Sequence, residues 1–596
     1  MKWRSFAGLL GAGVMVLSAC QQSSNPGSVS GGKPLIAEPT TGVTFSEDFN
    51  PYDTNSVASS MGTRSLVNEP LIEFDQLDPT AAGTHPWLAT AFAFQNGGKD
   101  LKITIRQGVK FSDGSSFGPA DVAATYKMLE NPKADAYGVP PQASDPTVNG
   151  NDVILHFQNP QYTGLWSILG TTYVLKKDIA DQVAANPTMQ IKKPVGTGPF
   201  LLASYTSSLI KWKPNPNYWG GTPPESEIDT PAIATNAAAS DALVSGQLDW
   251  AGNDIPNVYA NFVNLNPLTN HAWFASGNTV VLWFNLNSGN GGATGIDEAA
   301  VRKAVSYGVD RNALALLGES GYELPAKSSS ALILPNQKAF LPSDGSLNAD
   351  LSINGSVPDG ATAKANNLPS GADVYDILKN AGWTPPASSH YDAGSSTFKS
   401  GGNCDGSNTA NCWTKGGKII AFSIYDPVPF SDYWENAALM SQELQPLGMD
   451  VTTKPAQGYS DWNTNLTSNP GSWQTAIHWG NGGSIPYIQL QDWLDFSGQN
   501  TAAHHVGFNN ADALAALRQY ESTDPSDTAS LYPIVQKLEM IMSTAVPEAP
   551  LLYGADWNVY SSAKYTGWPN QSHPYMNPSP SDPQMPYILM QLRPVS

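Results

Sequence analysis

The sequence predicts an α/β fold distributed over more than one domain. Two observations carry that expectation. The chain has 596 residues, several times the roughly 100–200 of a single domain. Strand-like and helix-like periodicities also alternate along it. LKITIR at 101–106 and VILHF at 153–157 alternate apolar and polar residues, as a half-buried strand does. Residues 119–129 open with Pro119 and then place apolar residues at helical spacing, so a helix is expected there. Between 297 and 317, Val301, Ala304, Val305, Val309, Leu314 and Leu317 form one stripe. Asp297 and Glu298 precede it, where a helix N-terminus favours anions. No repeat at solenoid or propeller period is present. Residues 341–370 and 388–417, rich in Gly, Ser, Asn and Asp, read as surface insertions.

Composition narrows the function classes. There are 31 Lys and Arg against 51 Asp and Glu, a formal charge of −20, and no long basic run. Nucleic-acid binding needs clustered cations to displace counterions, so that class is set aside. Charged residues make up only 14%, beside 17 Trp and 23 Tyr. Low charge with many aromatics suits an exported protein that handles a neutral ligand.

The N-terminal segment carries an export signal. Lys2 and Arg4 precede an apolar run over residues 6–16, too short to cross a bilayer. Leu17-Ser-Ala-Cys20 then resembles the lipobox of bacterial lipoproteins, which implies cleavage after residue 19 and acylation of Cys20. Losing residues 1–19 would leave a net charge of −22. Residues 20–33 read as a flexible tether. The expected location is the cell membrane, by lipid anchor alone, facing the periplasm or the cell exterior. In that oxidising setting the two remaining cysteines, Cys404 and Cys412, are expected to form a disulfide.

Six motifs, in order, resemble those of the bacterial extracellular solute-binding proteins of family 5, the peptide-type ABC transporter binding proteins. They are QGVKFSDGSSFGPADV at 107–122, VGTGPF at 195–200 with NPNYWGG at 215–221, and LVSGQLD at 243–249. FNLN at 284–287, VRKAVSYGVDR at 301–311 and LQPLGMDV at 444–451 complete the set. The resemblance implies a two-lobed periplasmic-binding-protein-like fold with an extra inserted domain and a ligand cleft that closes by hinge motion. It places lobe one at 34–75, 195–280 and 555–596, the inserted domain at 76–194, and lobe two at 281–554. It also implies an ABC permease as partner, a monomer, no cofactor and no catalysis.

The ligand expected from the residues is a neutral oligosaccharide. Peptide-binding relatives place a carboxylate in the segment that corresponds here to AIHWGNGGSIPY at 476–487, and this stretch has none before Asp492. A buried peptide ammonium left unpaired would cost several kcal/mol. The segment instead resembles the branch that binds cello- and other β-linked oligosaccharides, as do GWP at 567–569 and Pro574-Tyr575. Sugar rings present apolar faces and hydroxyl edges, which call for flat aromatics with amide and hydroxyl partners. Candidate ligand contacts are therefore Trp479, Asn481, Ser484, Trp434, Trp462 and Tyr425, with Tyr52 and Asn55 from lobe one. An oligopeptide is the alternative ligand.

Metal and enzyme readings fare worse. His504 and His505 are adjacent and point apart, a poor chelate, and no metal ligand set is expected. Gly114-Ser-Ser-Phe-Gly118 matches G-x-S-x-G, the signature of a hydrolase with Ser116 as nucleophile. A polar lead-in and Pro119 suit a turn and helix start rather than a nucleophile elbow.

Overall fold

The structure, a computed structural model, describes residues 32–78, 81–135, 138–326, 334, 337, 340, 371–392, 397–480, 482–483, 485–498 and 501–595. Cys20, the tether up to residue 31 and the insertion at 341–370 lie outside these. The chain divides into two compact units. The first comprises residues 1–273, 520–531 and 557–596, and the second residues 274–519 and 532–556.

Unit 1 contains a seven-stranded sheet and a four-stranded sheet. In the larger, Leu35–Glu38 lies between Ile228–Pro231 and Trp250–Ala251, parallel to both, and the remaining pairs are antiparallel. Its core holds Trp212, Trp250 and Trp568. Trp250 donates its indole N–H to Asn558 Oδ1 at 2.8 Å, and Trp568 stacks on Tyr560 at 4.7 Å. The four-stranded antiparallel sheet is formed by Ala89–Gln95, Asp100–Ile105, Asp152–Phe157 and Gln142–Asn149. Its inward residues Leu101, Ile103, Ile105, Val153 and Leu155 are fully buried and alternate with partly exposed neighbours. Helix Pro119–Met128 packs there, with Asp121 accepting from the Gly118 amide at 2.9 Å to cap its first turn.

Unit 2 is built on a six-stranded sheet. Thr279–Phe284 sits near its centre, antiparallel to both Glu548–Tyr553 and Thr475–Gly480. Ala421–Pro427 then runs parallel to Thr475–Gly480 on one side and to Asp450–Ala456 on the other. All six residues of Thr279–Phe284 are buried, which explains its unbroken apolar sequence. Two buried arginines tie helices to this sheet. Arg302 donates to the carbonyls of Val546 and Ile296, both at 2.7 Å. Arg311 donates to Pro550 O at 2.7 Å and to Ser306 O at 2.8 Å. Both belong to the VRKAVSYGVDR motif, whose arginines satisfy strand-end and helix-end carbonyls.

Three expectations need correction. The boundary near residue 280 falls instead after Trp273, because strand Thr279–Phe284 belongs whole to the six-stranded sheet, and residues 520–531 group with unit 1. The stripe at 297–317 is not one helix. It runs as Ala299–Gly308, breaks at Val309, and restarts where Asp310 accepts from the Asn312 and Ala313 amides. The 388–417 segment is not only surface: Phe398, Cys404, Cys412 and Trp413 are all at least 97% buried, and the Phe398 and Trp413 rings pack 5.4 Å apart. The structure joins Cys404 to Cys412 in a disulfide, with Cα atoms 4.9 Å apart.

The bridge closes a loop between residues eight apart in sequence, and chain-entropy bookkeeping assigns such a loop about 2.5 kcal/mol. Replacing both cysteines by serine should lower the urea-unfolding free energy by at least that amount, because two polar hydroxyls also enter a buried site. An unchanged midpoint would contradict it.

Burial raises several carboxyls. Glu38, Glu225 and Glu443 are each pushed from 4.5 to about 8, chiefly by desolvation. A group whose pKa is higher folded than unfolded binds its proton more tightly in the native state, so its contribution is full below pH 4.5 and lost as pH rises towards 8. Glu38→Gln, which mimics the neutral acid, should therefore flatten part of the fall in melting temperature between pH 5 and pH 8. Scanning fluorimetry across that range is the check, and an unaltered slope would show that Glu38 does not titrate there.

Candidate functional site

The site is organised by strand Thr475–Gly480 of unit 2. Register pairs His478 with Val281 and Trp479 with Val280, and the two rings lie side by side, 4.6 Å apart and inclined by 37°. His478 lies against Trp283, with ring centroids 4.0 Å apart at 8°, and against Trp462, 5.0 Å away at 16°. Its Nδ1 faces the Trp479 carbonyl, which can only accept, so Nδ1 carries the proton of a neutral ring. Burial pushes the imidazole from 6.5 down to about 4. His478 is thus uncharged at neutral pH.

Trp479 remains 38% exposed and Tyr459 45% exposed. Their rings are 6.1 Å apart and inclined by only 17°, an accessible, nearly parallel pair. Tyr459 opens helix Tyr459–Ser468, and Trp462, one turn on, supports both rings from beneath at 6.2 Å and 5.4 Å. Tyr433 from helix Ser431–Leu444 approaches Trp479 at 6.3 Å.

The chain after Trp479 needs its glycines. A Cβ on Gly480 would meet Thr279 Oγ1 at 2.3 Å, and one on Gly482 would meet the Gly277 carbonyl at 1.6 Å. Gly482 is pressed on backbone that cannot yield. Gln337 then holds Gly483 through a 2.7 Å bond to its carbonyl. Asn481 and Ser484 lie outside the described residues.

Carboxyls arrive from other elements. Asp426 is fully buried and accepts from the Ile477 amide at 3.2 Å. Desolvation holds it well above the usual carboxylate range. Asp432, beside Tyr433 in sequence, is pushed up to about 6 by burial. Tyr433 feels Asp432, Glu323, Glu319 and Asp426, which together with burial raise its hydroxyl. The 476–480 strand therefore brings no carboxylate of its own, yet Asp426, its pKa raised by burial, is bonded to the Ile477 amide.

Several sequence candidates are corrected. Tyr52 is 2% exposed in the core of unit 1, its hydroxyl donating to Tyr173 O at 2.7 Å; it is a core residue. Asn55 is exposed in a turn closed by Asp53. Trp462 is fully buried and donates to Tyr425 O at 3.1 Å, so it supports rather than offers a surface. Tyr425, 3% exposed, spends its hydroxyl on Asp461 at 2.9 Å and Asn465 at 2.8 Å. Trp434 is half-buried on the Tyr433 helix, and no ring contact among the described residues links it to Trp479. Among the described aromatic candidates, Trp479 alone is exposed. Sequence reasoning missed Tyr459, Tyr433 and His478. Tyr459 could have been found, since Tyr and Trp at i and i+3 share a helix face.

Elsewhere, the His504 and His505 rings stand 5.9 Å apart at 80°. Ser116 bridges to Lys110 in a turn, and the strand that an elbow requires does not lead into it.

The family model described as "Bacterial extracellular solute-binding proteins, family 5 Middle" matches residues 83–501. The nickel-binding periplasmic protein of Escherichia coli (strain K12) is 27% identical over 338 residues, 55% of this chain and 58% of that one. A glutathione-binding protein of Salmonella typhi is 26% identical over 284 residues, 46% of this chain and 52% of that one. The chain thus spans a little over half the length of these curated relatives. The mannohexaose-bound periplasmic oligopeptide-binding protein of Thermotoga maritima superposes with a TM-score of 0.74 over 94% of this chain and 99% of that one. At 19% identity that likeness bears on the fold.

The burial contrast within the aromatic cluster has a direct energetic consequence. Trp462→Ala should cost about 3–5 kcal/mol of unfolding free energy, whereas Trp479→Ala should cost no more than about 1 kcal/mol. Urea denaturation of the two variants is the measurement. Equal losses would mean that Trp479 is core.

Proposed function

Since the chain belongs to the bacterial extracellular solute-binding proteins of family 5, we propose that it is the substrate-binding lipoprotein of an ABC importer. On this reading it captures a neutral oligosaccharide of cello-, xylo- or manno-type and delivers it to a membrane permease. It works as a monomer anchored through Cys20, exported to the periplasm or cell exterior, with no cofactor and no catalytic step. The relatives' names span nickel and glutathione, so membership sets the role and the site must set the ligand.

One observation carries the sugar reading: the accessible, nearly parallel Trp479–Tyr459 pair beside neutral His478. Flat rings suit the apolar faces of pyranoses, and uncharged polar groups suit their hydroxyls. A second reading, an oligopeptide, draws on Asp432. With a pKa of about 6 it is largely ionised at neutral pH and could pair with a ligand ammonium.

A thermal-shift panel of cello-, xylo- and manno-oligosaccharides against tri- to pentapeptides separates the two. A ligand at a hundredfold excess over Kd stabilises the native state by about 2.7 kcal/mol. One sugar series should raise the melting temperature, and Trp479→Ala should abolish that rise while the unliganded melt stays near wild type. A response to peptides alone would transfer the assignment to peptide transport, and no response to either series would overturn both ligands.

A further inference from the structure

Behind the platform strand, unit 2 buries a set of polar groups that pair with nothing in the protein. The indole N–H groups of Trp283, Trp473 and Trp493, the Thr279 hydroxyl, His505 Nδ1 and both oxygens of Glu548 have no hydrogen-bond partner among the described residues. Glu548, Trp473 and Trp493 are fully buried, Thr279 is 1% exposed and Trp283 3% exposed. These groups are close together. Trp283 and Glu548 are opposite one another in register, so their side chains leave the same face of adjacent strands. Around Trp283 lie the rings of Trp473 at 6.3 Å and His505 at 6.2 Å. Farther along that face, Thr279 Oγ1 and Trp493 Nε1 both lie within 3.3 Å of the point where a Gly480 Cβ would sit.

We propose that this layer is an internal hydration site, in which ordered water bridges the indole N–H groups of Trp283 and Trp473 to the Glu548 carboxyl and His505 Nδ1. An unpaired buried polar group forfeits its hydration with nothing in return, and native proteins rarely leave several together unsatisfied. The donor set selects the occupant. Indole N–H groups disfavour a cation, and the Asp492 charge disfavours an anion. A neutral molecule that both donates and accepts fits, and water makes about three such bonds when buried. Burial and the Asp492 charge raise Glu548 well above the usual carboxylate range. His478 faces this layer as a neutral ring, and His505 is also held down by burial and by His504.

Two measurements test the site. A crystal structure of the protein at a resolution that shows water should place ordered solvent within hydrogen-bond distance of Trp283 Nε1 and the Glu548 carboxyl. Direct bonds between these side chains, or an empty void, would overturn the proposal. Independently, Glu548→Gln keeps a donor and an acceptor and should melt within about 2 °C of wild type, whereas Glu548→Leu strands the indoles and should lose more than that. A leucine variant as stable as wild type would show the layer to be dry. Should the leucine variant fail to fold, the glutamine variant must still show the bridging water.

Discussion

The accessible face of unit 2 depends on the stack of Trp283, His478 and Trp462. His478 is the middle ring of three, 4.0 Å from one indole and 5.0 Å from the other. Such pairs contribute about 0.5–1.5 kcal/mol each beyond the area they bury. Their larger consequence is register. The Trp479 ring lies 4.6 Å from His478, so holding the imidazole between two indoles fixes where Trp479 emerges, and a slip by one residue would carry both rings off these partners. The strand cannot slip, because it pairs along its whole length with Thr279–Phe284, which Glu548–Tyr553 holds from the other side. Arg311 in turn ties that outer strand to the helix ending at Gly308.

Charge behaves differently in the folded chain than in the composition. The formal value of −20 counts every carboxyl as ionised. Glu38, Glu225 and Glu443, each pushed up to about 8, remain largely protonated at neutral pH, and Asp426 and Glu548 are also raised. The native molecule is therefore less negative than its sequence. The common cause is desolvation, and three of these acids lack even a hydrogen-bond partner on either oxygen of the side chain: Glu38, Glu225 and Glu548. His478, held at about 4, presents a dipole rather than a charge beside Trp479, a property that no count of charged residues conveys.

Much of the architecture was legible in the sequence, and the reason is local. Alternation at 101–106 and 153–157 marks two strands of one sheet because one face of each is buried. Pro119 with Asp121 marks a helix start because both act within one turn. The site was less legible. Tyr52, Tyr425 and Trp462 share residue types with Trp479, and what separates them is burial, which depends on packing from distant segments. Asp426 reaches the Ile477 amide across 51 residues of chain, so scanning residues 476–487 for a carboxylate could not reveal it. The break at Val309 was also hidden, because an Asp side chain capping the next turn outweighs an apolar stripe that continues through it.

Glycine decides where the platform ends. Gly480 leaves room for Thr279 and Trp493, and Gly482 lies against the backbone of Gly277 and Asn278 at a distance that no side chain permits. The chain is thus pulled down onto its neighbour immediately after Trp479, and Gln337, itself bonded to Gln489, clamps Gly483. The Trp479 indole there is bordered by the rings of Tyr459, Trp462, His478 and Tyr433. Such contacts limit its freedom, so less side-chain entropy is left to lose when a flat ligand settles on it. The same constraint explains why the aromatic surface is narrow: Trp462 supports it, Tyr433 borders it, and only the Trp479 and Tyr459 rings keep open faces.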